Sequence, residues 1–527
     1  MSATFQRPRI NPWQVGAFAL IQAVVMLLAI SNESLWIDEF WTEHFAALES
    51  FRAFYELLLV PNGSQTPLHF LHFYLWGQLN LAGEFWFRLA NLPLFVAGQV
   101  AVYWALRDYP RKFAYLYLTL TALHPMVWQY ANEARPYILM YAGAQMMLAY
   151  LLNLHARSAS GRPAEPLFLM LFVVGGILLF GASLLGVFSV FAACVVALLY
   201  HLRRSTWREL LRGVNLLMLG FFALAIALLT VYYANSLLLG AGGSRLASSS
   251  LVTVLSTFYE VLGLAGIGPS RLELRSLGVA ALAPYAISLL VAGAVLLAVL
   301  AVGLKEARVR LGARQLLLLC AFGLFPVAVI LFSGFAMQWR VAGRHLFATL
   351  PLLSLVWALG LSTLLRADGR RGQQLRWLLA VVALLLLAYS AFSLRVSPQH
   401  RKDDYRAAAA VAQAALAQGQ RVWWAAGVIG ASYYGLPGEF DVMGELTGQH
   451  KPLPCKDLPG VQAVPNASTP CLLALTAPDV VILSKPDTFD TRGDVGAFLK
   501  AERFALVQNL PAFTIWRRSA QTQPLKP

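Results

Sequence analysis

A chain of 527 residues that is 58% hydrophobic and only 13% charged, with long uncharged runs from one end to the other, is too apolar for a soluble protein and predicts a polytopic membrane protein. The net charge of +15 does not require a nucleic-acid partner, because the segments predicted to be cytoplasmic hold 19 basic and only 5 acidic residues. Nearly all of the excess is therefore the positive-inside bias that orients membrane proteins.

Eleven apolar segments predict transmembrane helices. Their basic flanking loops place the amino terminus in the cytoplasm and the carboxyl terminus outside. The first segment has no evident small-residue cleavage site, so we expect a retained helix and not a removed signal peptide. The predicted spans are residues 13–31, 86–106, 113–131, 137–154, 167–183, 185–200, 214–235, 279–303, 315–335, 345–365 and 376–394.

Residues 32–85 are predicted to form one long outer loop that contains interfacial helices. The apolar block Pro67–Leu81 has only 15 residues and contains His69 and His72. If this block crossed the membrane, the basic loop 107–112 would lie outside, against the positive-inside bias. We therefore expect an interfacial helix that opens at Pro67, since proline favours the first position of a helix.

The outer loop begins, directly after the first span, with Leu35-Trp36-Ile37-Asp38-Glu39-Phe40-Trp41. Two adjacent carboxylates between aromatic residues at a membrane interface suggest acid–base chemistry or cation binding. The alternative is that Asp38 and Glu39 only cap an interfacial helix, because acidic residues favour a first turn. This heptapeptide alone favours neither interpretation.

From residue 395 the pattern changes to that of a small α/β domain. We predict a transmembrane domain over residues 1–394, followed by an extracytoplasmic domain over residues 395–527. The predicted elements of the second domain are a helix at 405–418, strands at 421–425 and 479–483, and a terminal hairpin at 504–508 and 512–516.

Two of the four cysteines, Cys455 and Cys471, lie in the extracytoplasmic domain, where an even pair in an oxidising compartment predicts a disulfide. Cys194 and Cys320 lie within predicted spans and are expected to be packing residues. The sequence has no Cys/His cluster of the metal-binding kind and no glycine-rich phosphate loop.

The predicted topology brings further charged residues to the outer face. Glu133 and Arg135 fall in the turn between the third and fourth spans, where they either pair with each other or act on a substrate. Arginines at helix ends commonly extend toward the interface as anchors. Converging arginines would also suit a phosphate or pyrophosphate, which needs planar donors in a water-poor pocket. The candidates for phosphate binding are Arg88, Arg135, Arg340, Arg344 and the adjacent His345.

Acids that activate a hydroxyl and arginines that hold a phosphate leaving group describe transfer from a lipid phosphate. The sequence resembles the GT-C superfamily of polyprenyl-phosphate-sugar glycosyltransferases, in particular the protein O-mannosyltransferase and aminoarabinose-transferase group. The resemblance covers about residues 13–365, and its last motif has Arg-His where the family pattern has Arg-Tyr. The motifs are Asp38-Glu39, Pro67-Leu-His69-Phe-Leu-His72 before Arg88-Leu-Ala-Asn91, Tyr130-Ala-Asn132-Glu133-Ala-Arg135-Pro136-Tyr137, and Arg344-His345-Leu-Phe-Ala-Thr-Leu-Pro351.

The resemblance implies that Asp38 is the catalytic base and that Glu39 and Glu133 are supporting acids, which orient the acceptor or, in some relatives, a metal. Asn132-Glu133 stands where metal-dependent oligosaccharyltransferases carry an acidic pair, so we expect no metal cofactor. The remaining expected supporting residues are His69, His72, Asn132 and Tyr137.

The function implied is transfer of a sugar from a polyprenyl-phosphate donor to an acceptor hydroxyl, with inversion, at the outer face of a bacterial cytoplasmic membrane. The alternatives are a non-catalytic transporter or flippase for lipid-linked sugars and an inactive assembly subunit of a polysaccharide system. A transporter would need basic gating residues on both faces of a shared pathway. Charged residues within the predicted spans are nearly absent, which disfavours this alternative. The sequence leaves the sugar, the lipid length and the acceptor (glycan, lipid or protein) open.

Overall fold

The computed structural model describes residues 12–60, 66–159, 164–203, 206–239, 249–339, 341–366, 372–447 and 455–518. Most of these residues are helical up to residue 396, with short 3₁₀ segments at 106–108, 278–285 and 343–349. The helices of this part are α1 (Pro12–Ala29), α2 (Ile37–Ala46), α3 (Phe51–Leu59), α4 (Pro67–Gly77), α5 (Glu84–Leu89), α6 (Asn91–Ala105), α7 (Arg111–Leu123), α8 (Pro125–Ala131), α9 (Tyr137–Ala159), α10 (Pro166–Ala182), α11 (Gly186–Arg203), α12 (Trp207–Leu210), α13 (Gly213–Leu238), α14 (Leu251–Val261), α15 (Arg271–Leu277), α16 (Ala286–Leu311), α17 (Ala313–Ala336), α18 (Leu350–Leu364) and α19 (Gln373–Val396).

Within the described part of the chain, eight helical segments are long and apolar enough to cross a membrane, and each matches a predicted span. The first and fifth predicted spans form the shorter apolar helices α1 and α10. The predicted third span, 113–131, is not one helix but two, because α7 ends at Leu123 and α8 begins at Pro125. His124 between them is extended, as expected of a residue that precedes proline.

The helices pack closely where two glycines face each other. A Cβ atom at Gly143 of α9 would lie 2.6 Å from the carbonyl oxygen of Gly175 of α10, and the reverse distance is also 2.6 Å. Small residues at such contacts allow helix backbones to approach in the absence of a hydrophobic driving force. As a result α9 is buried along its first five turns, and the turn that precedes it is fixed.

The contacts divide the chain into two compact units. Unit 1 comprises Met1–Ser31, Ser64–Leu79 and Trp86–His400. Unit 2 comprises Asn32–Gly63, Asn80–Phe85 and Arg401–Pro527. Parts of the predicted outer loop therefore belong to the same unit as the carboxyl-terminal residues, whereas the sequence-based division assigned the whole loop to the transmembrane domain.

Unit 2 contains a five-stranded sheet in the order β2-β1-β3-β5-β4. β1, β2 and β3 are parallel, and β4 and β5 form the predicted antiparallel hairpin. All four residues of β1 and all five of β3 are buried, which explains their continuous apolar sequences. The elements are α20 (Tyr405–Ala417), β1 (Val422–Ala425), α21 (Val428–Tyr433), α22 (Val442–Thr447), β2 (Gln462–Ala463), α23 (Thr469–Ala474), β3 (Val480–Ser484), α24 (Pro486–Phe489), α25 (Asp494–Ala501), β4 (Phe504–Leu510) and β5 (Phe513–Arg518).

The predicted disulfide between Cys455 and Cys471 is present. It ties the loop before β2 to the first turn of α23.

Candidate functional site

The turn between α8 and α9 is the best-defined polar feature of unit 1. Such a turn leaves backbone carbonyls without helical partners, and these must be satisfied when buried. The side-chain amide of Asn91 donates to the carbonyl oxygens of Ala131 at 3.0 Å and of Glu133 at 2.8 Å. The Oδ1 atom of Asn132 accepts from the backbone N–H of Ser31 at 2.7 Å. The turn is thus held by residues from two other segments, Asn91 at the start of α6 and Ser31 after α1.

Arg271, at the start of α15, binds this turn. Its Nη1 donates to Oε1 of Glu133 at 3.1 Å, and its Nη2 donates to the hydroxyl of Tyr130 at 2.9 Å. The same hydroxyl donates to Oε2 of Glu260 at 3.3 Å, and the Nε of Arg271 lies 3.7 Å from Oε1 of Glu260. We call Tyr130, Glu133, Glu260 and Arg271 the Arg271 cluster.

The two charged ends of the Arg271 cluster differ in exposure. The Glu133 side chain is 3% exposed, whereas that of Arg271 is 40% exposed. The guanidinium also lies over the Tyr130 ring, 5.3 Å from its centroid. Among the described residues, Oε2 of Glu133 has no hydrogen-bond partner. The cluster therefore combines a partly exposed guanidinium with a buried carboxylate oxygen that has no hydrogen-bond partner among the described residues.

Sequence reasoning missed Glu260 and Arg271, both of which lie in the predicted outer loop 236–276. The only local signal is a helix start, where the hydroxyl of Ser270 accepts from the backbone N–H of Glu273 at 3.2 Å. That signal predicts a helix beginning at Arg271 but gives no indication of its partners.

Arg88, predicted to bind phosphate, is fully buried. Its Nη1 donates to the backbone carbonyl of Ser31 at 3.2 Å, in the residue that also contacts Asn132. This contact links Arg88 to the residue that also binds the turn, and phosphate binding by Arg88 stays a prediction. Arg135 is also buried, and its charge acts with burial to lower the pKa of His69 well below the usual value.

Arg344 lies half-buried in the 3₁₀ segment before α18. The preceding residue, Gly343, lies against α14, where an added Cβ would be 2.8 Å from the Cβ of Glu260. Arg344 is therefore next to a residue in contact with the Arg271 cluster. The Nδ1 atom of His345 accepts from the backbone N–H of Ala342 at 3.0 Å and so caps this segment. Arg340 lies outside the described residues.

The remaining predicted supporting residues of unit 1 pack within the fold. His69 is buried, with its ring centroid 4.8 Å from that of Phe73, and Nε2 of His72 lies 2.9 Å from the carbonyl oxygen of Ala90. The ring of Tyr137 packs on that of Tyr130 at 4.5 Å. Their contacts fit a supporting role.

Asp38 and Glu39 lie in unit 2, in the first turn of α2. Glu39 is fully buried, accepts from the backbone N–H of Trp36 at 3.3 Å and pairs with Nζ of Lys402 at 3.4 Å. The capping interpretation therefore describes Glu39. Asp38 is half-buried at the same helix start.

Among the described residues, no three His, Cys, Asp or Glu side chains group as metal ligands would. The expectation that no metal is required stays a prediction.

Comparison with solved structures identifies the fold. ArnT from Cupriavidus metallidurans bound to undecaprenyl phosphate aligns with a TM-score of 0.52 over 97% of this chain and 98% of that one, at 15% identity. The chain has a GT-C fold. The chain also aligns with apo ArnT from the same organism at a TM-score of 0.47, with 15% identity over 96% of this chain and 98% of that one. Arabinofuranosyltransferase AftD from Mycobacteria aligns at 0.43, with 16% identity over 98% of this chain and 40% of that one.

No family model matches the sequence, and no curated protein matches it significantly. The similarity to ArnT therefore concerns the fold.

Proposed function

We propose that the protein is a membrane glycosyltransferase that transfers a sugar from a polyprenyl-phosphate donor to an acceptor hydroxyl at the outer face of the cytoplasmic membrane. The main support is structural similarity, along nearly the whole chain, to a protein captured with undecaprenyl phosphate. The Arg271 cluster adds the chemistry that such a donor needs, because it combines an accessible guanidinium with a buried carboxylate.

The donor phosphate is assigned to Arg271, with Arg344 and Arg135 as neighbours. Counting Arg88 as well, these four guanidinium groups exceed the two carboxylates of the Arg271 cluster, Glu133 and Glu260, by a formal charge of +2. An excess of positive charge favours a phosphate, and a planar guanidinium provides two parallel donors for it. Arg88 contributes charge, while its hydrogen bond serves the protein.

In the proposed reaction the acceptor oxygen attacks the anomeric carbon as the bond from that carbon to the phosphate oxygen breaks. Polyprenyl phosphate leaves with the bonding electrons, and the acceptor proton passes to the carboxylate of Asp38. A single displacement of this kind inverts the anomeric centre. Asp38 is the stronger candidate of its pair, because it is half-buried, whereas Glu39 is fully buried and paired with Lys402.

Glu133 is proposed to orient a substrate hydroxyl through Oε2. A buried carboxylate oxygen without a protein partner is costly unless a ligand or water donates to it. A sugar hydroxyl offers such a donor, and its hydrogen bond to an ionised acceptor would be short and strong.

The test uses purified full-length protein in lipid nanodiscs with synthetic polyprenyl-phosphate hexoses and pentoses. We expect release of polyprenyl phosphate with at least one donor and co-purification of a lipid-linked sugar detectable by mass spectrometry. Arg271→Ala should weaken donor binding. Arg310→Ala is the matched control, because Arg310 is equally exposed, also pairs with a glutamate and lies in the last turn of α16, on the predicted cytoplasmic side.

Two results would contradict the proposal. Donor binding without any cleavage, together with movement of lipid-linked sugar across vesicles, would favour the transporter. If the protein neither binds nor cleaves any donor of the panel, a lipid-linked sugar is not its substrate.

A further inference from the structure

The carboxyl ends of β1 and β3 form the edge of a parallel sheet at which α/β proteins commonly bind their ligands. In unit 2 this edge contacts the start of α2. A Cβ atom at Gly427, two residues after β1, would lie 2.9 Å from Cδ1 of Ile37. Nζ of Lys485, directly after β3, lies 6.0 Å from the ring centroid of Trp36. The first turn of α2, which carries Asp38, thus lies at the sheet edge where other α/β proteins commonly bind a ligand.

Charged groups hold the same helix start. The carboxylate of Glu39, fully buried, pairs with Lys402, whose side chain is 14% exposed. The next residue, Asp403, pairs with Lys485, which contacts Trp36. Two buried ion pairs therefore connect the residues before α20 and after β3 to the first turn of α2. Removing one partner of such a pair leaves an uncompensated buried charge, which is strongly unfavourable.

Aromatic rings hold the next turn of α2. Phe40 is fully buried, and its ring centroid lies 5.2 Å from that of Tyr405 and 5.3 Å from that of Tyr433. The hydroxyl of Tyr434 accepts from the backbone N–H of Leu35 at 3.1 Å. The residues on both sides of Asp38 are therefore fixed by the carboxyl-terminal part of unit 2.

We propose that the carboxyl-terminal α/β domain positions Asp38 for catalysis and that Lys402 is a positioning residue acting through Glu39 and α2. This inference rests on the proposed function, in which Asp38 is the base. Lys402 needs no contact with substrate for this role. Its pairing with Glu39 holds the first turn of α2, and catalysis depends steeply on the placement of a base.

The experiment compares four variants in nanodiscs. Lys402→Met keeps the length of the side chain and removes its charge, Lys402→Arg keeps the charge, and Glu39→Gln with Lys402→Met removes both charges. Lys500→Met is the control, because Lys500 is an exposed lysine of the same unit. Each is measured for kcat and donor KM per folded protein and for hydrogen exchange over residues 36–46.

We expect Lys402→Met to lower kcat by about 10- to 100-fold, since small displacements of a catalytic group cost that much. Donor KM should stay within about twofold, because the phosphate site belongs to unit 1. Exchange over residues 36–46 should rise. Lys402→Arg should stay near the parent, and the double variant should recover part of kcat because no unpaired buried carboxylate remains.

Parent-like kcat and exchange in Lys402→Met would overturn the inference. So would a lower kcat in Lys402→Met with parent-like exchange over residues 36–46, because Lys402 would then act on kcat without holding α2. If Lys402→Met does not fold, the other two variants decide. The inference then requires parent-like kcat in Lys402→Arg, together with lower kcat and faster exchange in the double variant. A double variant that matches the parent in both kcat and exchange would overturn the inference.

A failure of the proposed function can be distinguished from a failure of this inference. If the parent protein neither binds nor cleaves any donor, Asp38 has no reaction to serve as base. Hydrogen exchange over residues 36–46 would still show whether Lys402 holds α2, because that measurement needs no substrate.

Discussion

Substituting Arg271 separates its two roles, support of the fold and binding of the donor. Arg271→Ala removes hydrogen bonds to Glu133 and to Tyr130 and leaves a carboxylate that is 3% exposed without its cation. A hydrogen bond to a charged group is worth about 1.5–3 kcal/mol, and the 40% exposure of Arg271 moves the loss toward the lower end. We expect about 2 kcal/mol of destabilisation.

Arg271→Ala is expected to change donor affinity more strongly than it changes the stability of the fold. Losing a charge-assisted contact to the phosphate costs about 2–3 kcal/mol, which raises Kd by about 30- to 150-fold. Adding Glu133→Gln to Arg271→Ala removes the orphaned carboxylate and should restore about 1 kcal/mol of stability. It should not restore donor affinity, because the guanidinium is still absent.

The assay pairs thermal unfolding in detergent with titration of a short-chain polyprenyl phosphate, using Arg310→Ala as the control. If Arg271→Ala binds the lipid phosphate as tightly as the parent, Arg271 is only structural. If the double variant recovers affinity together with stability, the loss in Arg271→Ala came from distortion of the turn, and the phosphate belongs to another arginine.

Asp38→Asn should reduce transfer by about 100-fold or more while donor affinity persists, because a positioned general base is lost; near-normal turnover would exclude Asp38. Burial raises the pKa of Glu445 to about 7 although its carboxylate accepts from the backbone N–H of Ile429, so its contribution to stability is present below about pH 4.5 and is lost as the pH rises through 7. Glu445→Gln should flatten this fall in unfolding temperature between pH 5 and 8, and an unchanged slope would refute the assignment. Free-thiol labelling of denatured, unreduced protein should miss Cys455 and Cys471, whose disulfide contributes about 3 kcal/mol by closing a short loop.

The membrane helices could be predicted from the sequence because every backbone polar group in a bilayer must be satisfied within its own segment, which makes long apolar runs diagnostic. The break at Pro125 was also encoded, since proline inside a helix removes a hydrogen bond and forces the preceding residue out of the helical region. β1 and β3 were visible in the sequence as short apolar runs between turn residues, whereas the two-residue strand β2 was not predicted.

The Arg271 cluster could not be predicted, because its contacts join residues up to 138 apart and two of its members, Glu260 and Arg271, lie between two predicted spans. Glu39 illustrates a different limit. A carboxylate at the third helical position commonly binds the cap residue, but the usual signature begins with Ser or Thr, and here the cap is Trp36. Trp36 has no acceptor to complete the pair of bonds, so the pattern suggested reactivity as readily as capping.

The composition of unit 2 has a consequence for biosynthesis. Glu39 and Lys402 are 363 residues apart, so α2 is synthesised long before Lys402 and the residues that follow it exist. At about 5–20 residues per second the interval is roughly 20–70 s. During that time a buried acid and the aromatic ring of Phe40 have no protein surface to cover them. Folding around α2 therefore cannot be completed before the last quarter of the chain is synthesised. Nascent chains that stop before it should be inserted in the membrane but open to proteolysis at α2.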